Sequence, residues 1–305
     1  MNLQAVTVSV NYSDFLVHTL EENHKLFKKW IIITDKKDTA TKQLCEKYIH
    51  HNVICVQTDV FYDNGAKFNK FAGINEGLKL VDDDAWVLFL DSDIAIHDHL
   101  NWILKHIGLE KDCIYGVDRV NCQGLAAWEN HKKVRDLVVD NWLLTDGFFK
   151  FGARLVHYYG YENGDGQFAG WNPLGFFQLA HRSSFVRYPD NTLGADHCDL
   201  LFARLFPRNK RVHIPETLVI HLESEDVHKA VNWYGRVSAP FEIKHAPSNV
   251  PVVKPRVSLA LQEAAAAYAP NPIPVKKNFF HYLRQVIKVI KRFLKALLKC
   301  IGINI

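Results

Sequence analysis

The chain has 305 residues, 48% hydrophobic, 12% aromatic and 23% charged, with a formal net charge of +4. This composition excludes a disordered chain and accommodates one large α/β domain with appendages or two smaller domains. The charge is unevenly spread: positions 276–299 carry six lysines, two arginines and no acid, so setting aside their +8 leaves the remainder near −4. A mildly acidic body disfavours broad binding to a phosphate backbone, although it is compatible with a small local basic groove.

The first hundred residues alternate strand and helix. Ala5–Val10 reads as a strand, with Ser13 or Asp14 as cap of a helix running toward Lys28. Strands follow at Trp30–Thr34, Val53–Gln57 and Trp86–Leu90, separated by helices at Thr39–His50 and Asn69–Leu80. Near-continuous apolar strands joined by helices predict a mostly parallel sheet covered on both faces, which gathers ligands at the carboxyl ends of its strands. Asn11, Asp35–Asp38, Asp91 and Asp93 lie at such ends.

From Leu100 to about His245 the pattern loosens, with strands expected at Ile114–Val117, Phe176–Ala180 and Leu218–His221 and a helix starting near Asp199. Six prolines between 247 and 274 mark a linker interrupted by a short Ala-rich helix near Ser258–Tyr268. The six cysteines are scattered with no C-x-x-C pair, which excludes zinc-type spacing and predicts reduced thiols in a cytosolic setting. Met1-Asn-Leu-Gln runs straight into a strand-like segment, so no secretory leader is expected, and no apolar stretch reaches the length of a membrane span.

Chemistry is concentrated where the strand Trp86–Leu90 ends in Asp91-Ser92-Asp93. Two carboxylates this close to a buried strand need a cation or strong donors, and hard oxygen ligands suit Mg²⁺ or Mn²⁺ carrying a phosphate. The plainer alternative is a strand-end turn with two solvated aspartates. Upstream, Phe68-Asn69-Lys70 opens a helix, where a lysine and the helix dipole together form a phosphate site or an ordinary surface start. Asp38 is either a hydrogen-bond acceptor for a base or ribose or the cap of its own helix.

The series Val8-Ser-Val-Asn-Tyr12, Ile33-Thr-Asp-Lys-Lys-Asp38, Phe68-Asn-Lys70, Asn75-Glu-Gly77 and Trp86-Val-Leu-Phe-Leu-Asp-Ser-Asp93 resembles a GT-A glycosyltransferase of the family-2-like branch. The resemblance spans roughly residues 4–240 and lies in the order of the motifs. It implies an α/β, Rossmann-like GT-A sheet, a nucleotide-sugar donor that is UDP- or GDP-linked, and a divalent cation. Carried over by position, Asp93 binds the metal and Asp91 the ribose or a metal-bound water. Asp38 falls to the nucleoside and Lys70 to the donor's nucleotide, with Asn11 a further donor-binding candidate.

In Gly194-Ala-Asp-His-Cys-Asp-Leu-Leu-Phe202 the resemblance implies a catalytic carboxylate that deprotonates the acceptor hydroxyl. Asp199 is preferred to Asp196 because it directly precedes the apolar run; either is equally readable as a helix cap. The usual Glu-Asp pair is His197-Cys198-Asp199 here, a departure from the pattern. His221, ending a strand, is the third metal-ligand candidate among 16 histidines, and His97 and His99 are further candidates that the family does not require. Gly175-Phe-Phe-Gln178 and Asn232-Trp-Tyr-Gly-Arg236 resemble segments near the donor sugar and acceptor, with Arg236 set to grip a diphosphate or to pair with a nearby acid.

Beyond Phe279, Leu283, Ile287, Ile290, Leu294, Leu297 and Ile301 recur at helical spacing opposite a basic face. This is a basic amphipathic helix, suited to an anionic membrane surface or to docking on the domain. The expected organisation is a GT-A domain over 1–245, nucleotide-binding before 101 and acceptor-binding from 101, then a linker over 246–275 and the amphipathic helix over 276–305. The expected acceptor is a glycan or lipid-linked saccharide, and the expected location is the cytoplasm, at the inner face of the cell membrane. The rivals are a haloacid-dehalogenase-type phosphohydrolase, whose Asp-x-Asp usually follows the first strand, and an inactive membrane-docked binding protein. A modified DNA base is an alternative acceptor, disfavoured by the acidic body.

Overall fold

The computed structural model describes residues 1–96, 100–134, 172–189, 195, 198–224, 232 and 234–241. The expected linker, Ala-rich helix and amphipathic tail lie outside the described residues, as do His97, His99, Asp196 and His197. The first compact unit of the chain is Met1–Ala246.

Four parallel strands build the first half: β1 (Leu3–Val8), β2 (Lys29–Asp35), β3 (Val53–Thr58) and β4 (Trp86–Leu90). Helices α1 (Ser13–Asn23), α2 (Thr39–Glu46) and α3 (Lys70–Leu78) connect them. Alternation along each strand splits the core into two faces. Leu3, Ala5, Trp30, Ile32, Leu88 and Leu90 pack with Leu16, Leu20 and Leu44 on one side. Val6, Val8, Ile31, Ile33, Val87 and Phe89 pack with Phe71, Ile74 and Leu78 on the other. Burial on both faces explains why β1, β2 and β4 read as continuous apolar runs, while β3, at the sheet edge, is only partly buried.

The second half departs from a parallel pattern. It contains β5 (Ile94–Ile96), α4 (Leu100–His106), β6 (Ile114–Gln123), α5 (Leu125–Val134), β7 (Phe177–His181), α6 (Cys198–Arg204) and β8 (Arg211–Glu223). The sheet order is β3-β2-β1-β4-β7-β6-β8-β5. β7 runs antiparallel to β4 and β6, β8 runs parallel to β6, and β5 closes the edge antiparallel to β8. β6 and β8 extend well beyond the short strands expected from sequence, because polar residues within them interrupt the apolar pattern. A third cluster of Phe15, Ala95, Cys122, Trp128, Ile220, Leu222 and Phe241 cores this half.

Chain order reverses between β1 and β4, so a crevice opens at their carboxyl ends, the general ligand position in open α/β sheets. The Asn11–Tyr12 loop borders it on one side and Asp91–Asp93 on the other. Neither Ser13 nor Asp14 caps α1: the cap position is Tyr12, with no side-chain cap bond. Among the described residues no helix is long and apolar enough to cross a membrane.

Candidate active site

The acid turn after β4 is held by three bonds from two elements. Thr19 Oγ1 donates to the Ser92 carbonyl at 2.7 Å, and Asn23 Nδ2 donates to the Ile94 carbonyl at 2.7 Å, both from α1. From β8, Leu222 N–H donates to the Asp93 carbonyl at 2.8 Å. These buried bonds fix the backbone of the acid turn.

Asp91 pairs with the Lys70 ammonium, which the start of α3 carries to the crevice. Burial pushes the Asp91 carboxyl up, against the pull of Lys70. For Lys70 burial acts downward, yet Asp91, Asp199 and Asp93 outweigh it and hold the ammonium above its ordinary value. Asp93 faces His221, whose Nε2 lies 3.4 Å from Asp93 Oδ2. Burial opposes ionisation of Asp93, but the imidazole overrides it and the carboxyl sits below its usual range. The other imidazole nitrogen lies 3.1 Å from Glu223 Oε1. Burial works against the imidazolium, but with Asp93 and Glu223 beside it His221 is raised to about 9.

The residues present fit a divalent cation. Asp93 Oδ1 is buried with no hydrogen-bond partner among the described residues. An orphaned carboxylate oxygen is costly unless a cation meets it. His221 meets the other oxygen of the same carboxylate, whose charge acts on Asp91, while Glu223 orients the imidazole as an outer partner would. Glu223 was missed in the sequence, although its spacing two residues past His221 on one strand is a readable signal. A second acidic group, Glu110, Asp112 and Cys113, is clustered tightly enough for a metal. Its two carboxylates are instead bound by Lys210, at 3.1 and 2.8 Å, and it precedes β6 at the end of the sheet opposite Asp91.

Asp199 reaches the same crevice from the first turn of α6; its charge acts on Lys70. Gly175 N–H donates to its Oδ2 at 2.8 Å, and Leu200 N–H to its Oδ1 at 2.8 Å. Gln178, fully buried, donates to the Asp199 carbonyl at 2.8 Å while Tyr188 OH donates to Gln178 Oε1 at 2.5 Å.

Asp38 and Arg236, each open to two readings in the sequence, both find partners within the chain. The Asp38 carboxylate accepts from Asn11 N–H (2.6 Å), Thr34 Oγ1 (3.0 Å), Thr41 N–H (3.0 Å) and Thr41 Oγ1 (2.7 Å). Three of these donors crowd Oδ2 and Thr41 N–H reaches Oδ1, so Asp38 is the α2 cap and the anchor of the Asn11 loop. That anchor supports Asn11 at φ 60°, and Asn11 itself is exposed at the crevice edge. Arg236 is committed to Asp14, at 2.5 and 2.7 Å in a bidentate pair, and to the Asn11 carbonyl. Its guanidinium also lies 4.7 Å over the Tyr12 ring. Burial and the nearby Asp93 charge push the Tyr12 hydroxyl above its ordinary value, so it is neutral at the crevice wall.

No curated protein matches the chain. Among solved structures, a mycobacterial protein is 12% identical with a TM-score of 0.41, over 72% of this chain and 67% of its own. Glucosyl-3-phosphoglycerate synthase of M. tuberculosis is 11% identical with a TM-score of 0.28, over 47% of this chain and 53% of its own. Mouse xyloside xylosyltransferase 1 is 6% identical with a TM-score of 0.29, over 60% and 68%. The model of the family described as glycosyl transferase family 2 matches residues 5–171, more than half of the chain. That match sets aside the phosphohydrolase reading: the chain belongs to glycosyl transferase family 2 and is a GT-A glycosyltransferase.

Proposed function

We propose that this glycosyltransferase is metal-dependent and moves a sugar, with inversion, from a UDP- or GDP-linked donor to a hydroxyl of a glycan or lipid-linked saccharide. The observation that carries the metal is Asp93 Oδ1, buried without a partner among the described residues, on a carboxylate whose Oδ2 faces His221. Asp91, Asp93 and His221 would hold Mn²⁺ or Mg²⁺. When bound, such an ion stabilises the charge of the departing diphosphate as a Lewis acid.

The chain's own groups supply the rest. Lys70 neutralises phosphate charge from the start of α3. Asp199 takes the acceptor proton as the hydroxyl oxygen bonds to the anomeric carbon; the carbon–oxygen bond to the diphosphate breaks on the opposite face, and its electron pair leaves with the diphosphate. The bonds from Gly175 and Leu200 hold the carboxylate steady for this task.

Residues 1–245 form the catalytic domain, with 246–275 as linker. The basic helix over 276–305 holds the enzyme on an anionic membrane at the cytoplasmic face, supported by its unbalanced charge and apolar stripe. Deleting 276–305 should abolish sedimentation with anionic liposomes and spare donor hydrolysis; undiminished sedimentation refutes attachment by the tail.

A thermal-shift screen of nucleotide-sugars with and without Mn²⁺ tests the catalytic reading. One donor class should raise the Tm only with metal, and Asp93→Ala should lose that increment. If the increment persists in Asp93→Ala, the metal assignment is wrong; binding with no turnover on any acceptor would favour an inactive binding protein.

A further inference from the structure

Arg119 and Asn121 lie two residues apart on β6, facing the same side of the sheet. Through the β6–β8 register they stand opposite Val219 and His221, and His221 in turn stands opposite Ile94, directly after Asp93. The Arg119 guanidinium lies 4.8 Å over the ring of Phe176, whose carbonyl accepts the Asp91 N–H at 3.3 Å. Its charge opposes that of His221. Arg119 therefore lies on the acceptor-side half within electrostatic reach of His221, away from the bidentate pair that engages Arg236.

Both side chains carry unmet polar atoms. Arg119 Nε and Asn121 Oδ1 are buried with no hydrogen-bond partner among the described residues. Buried polar groups are normally paired, so each orphan marks a group that the described residues do not satisfy. A guanidinium calls for an oxyanion, and a side-chain carbonyl calls for a donor such as a hydroxyl. Residues two apart on a strand are about 7 Å apart, a separation that one phosphorylated, hydroxyl-bearing group can bridge.

We propose that Arg119 and Asn121 form a subsite for a phosphate group and an adjoining hydroxyl, next to the acid pair. This rests on the acid pair being the donor centre. The phosphate comes either from the donor's diphosphate or from an anionic acceptor, and the shared chemistry is the same in both.

Calorimetry on the full chain distinguishes the two sources. UDP and GDP, with uridine and guanosine as phosphate-free controls, are titrated in Mn²⁺. Protein saturated with Mn²⁺ and the tighter nucleotide is then titrated with glycerol 1-phosphate and with inorganic phosphate. Arg119→Gln should weaken at least one phosphate-bearing ligand about tenfold or more and leave the nucleosides unchanged, with Arg119→Lys intermediate. Loss against the nucleoside diphosphate assigns the subsite to the donor, and loss confined to the second titration assigns it to the acceptor. Asn121→Ala, which keeps the guanidinium, should weaken a hydroxyl-bearing ligand and spare inorganic phosphate; it carries the test if Arg119→Gln does not fold.

Equal affinities of wild type and Arg119→Gln for every ligand overturn the proposal, as does a wild type that binds no phosphate-bearing ligand. Asp93→Ala, run in parallel, reports on the donor centre alone: if it keeps metal-dependent nucleotide binding, the underlying reading fails whatever Arg119 does.

Discussion

Gly175 gives its backbone N–H to Asp199 Oδ2 at 2.8 Å, and the approach is close enough that a Cβ at position 175 would lie 2.9 Å from Asp199 Cβ. Backbone and carboxylate meet there only because residue 175 has no side chain. Gly175→Ala should displace the Asp199 carboxylate and lower kcat about 10²-fold, since small misplacements of a reacting group cost that much. Donor Kd should stay within a few-fold, measured by calorimetry. An unchanged kcat would show that Asp199 is not the base.

Asp38 connects a helix cap to the crevice through the Asn11 N–H. Asp38→Ala should cost about 1–2 kcal/mol from the lost cap alone. It should also weaken nucleotide binding, because the loop that carries Asn11 at φ 60° loses its anchor. Chemical denaturation and nucleotide titration on the same preparation read the two effects separately, and stability loss with unchanged nucleotide affinity would confine Asp38 to capping.

The Asp14–Arg236 pair ties α1 to the segment after β8, with side chains 20% and 14% exposed. Asp14 also accepts the Phe241 N–H at 2.7 Å. Removing one member of a largely buried pair leaves the other uncompensated. Asp14→Ala should therefore destabilise by about 2–3 kcal/mol, less than for a fully buried pair. In a domain of this size that lowers the Tm by about 4–12 °C. A melting curve that does not move would mean that solvent replaces the pair at no cost.

His181 is 2% exposed, packs edge-on against Trp86 with ring centroids 5.2 Å apart, and lies 2.7 Å through Nδ1 from Ser183 Oγ. Burial, with Lys111 adding to it, pushes its imidazole below the ordinary 6.5. Between that depressed value and 6.5 the unfolded chain binds more protons than the folded one, so stability rises with pH across the window. Denaturant midpoints measured from about pH 7.5 to about pH 5 should fall on the acid side. The fall should be shallower in His181→Gln, and parallel curves would assign it to other groups.

Much of this site was readable along the chain because its parts are local. β4 matches its expected span, Trp86–Leu90, and the acids follow it directly. Lys70 stands at a helix start for the same local reason. Asp199 opens its helix as expected, yet only the fold brings it to Gly175 and under the charge of Lys70. Arg236 and Asp38 illustrate the opposite case. Each has the right chemistry for a ligand, but Asp14, Asn11, Thr34 and Thr41 satisfy them from positions that spacing alone does not connect.

The sequence by itself determined the parallel first half, the family and the position of the acid pair, because apolar periodicity and motif order are properties of neighbours along the chain. Only the tertiary structure decided which polar groups are satisfied and which are left wanting. That distinction sets Asp38, bonded at both carboxylate oxygens, apart from the orphaned Asp93 Oδ1, and the paired Arg236 from Arg119 with its unmet Nε. The physical reason is that desolvation and hydrogen-bond satisfaction depend on what surrounds an atom in space, and the surroundings come from strands and helices far apart in sequence.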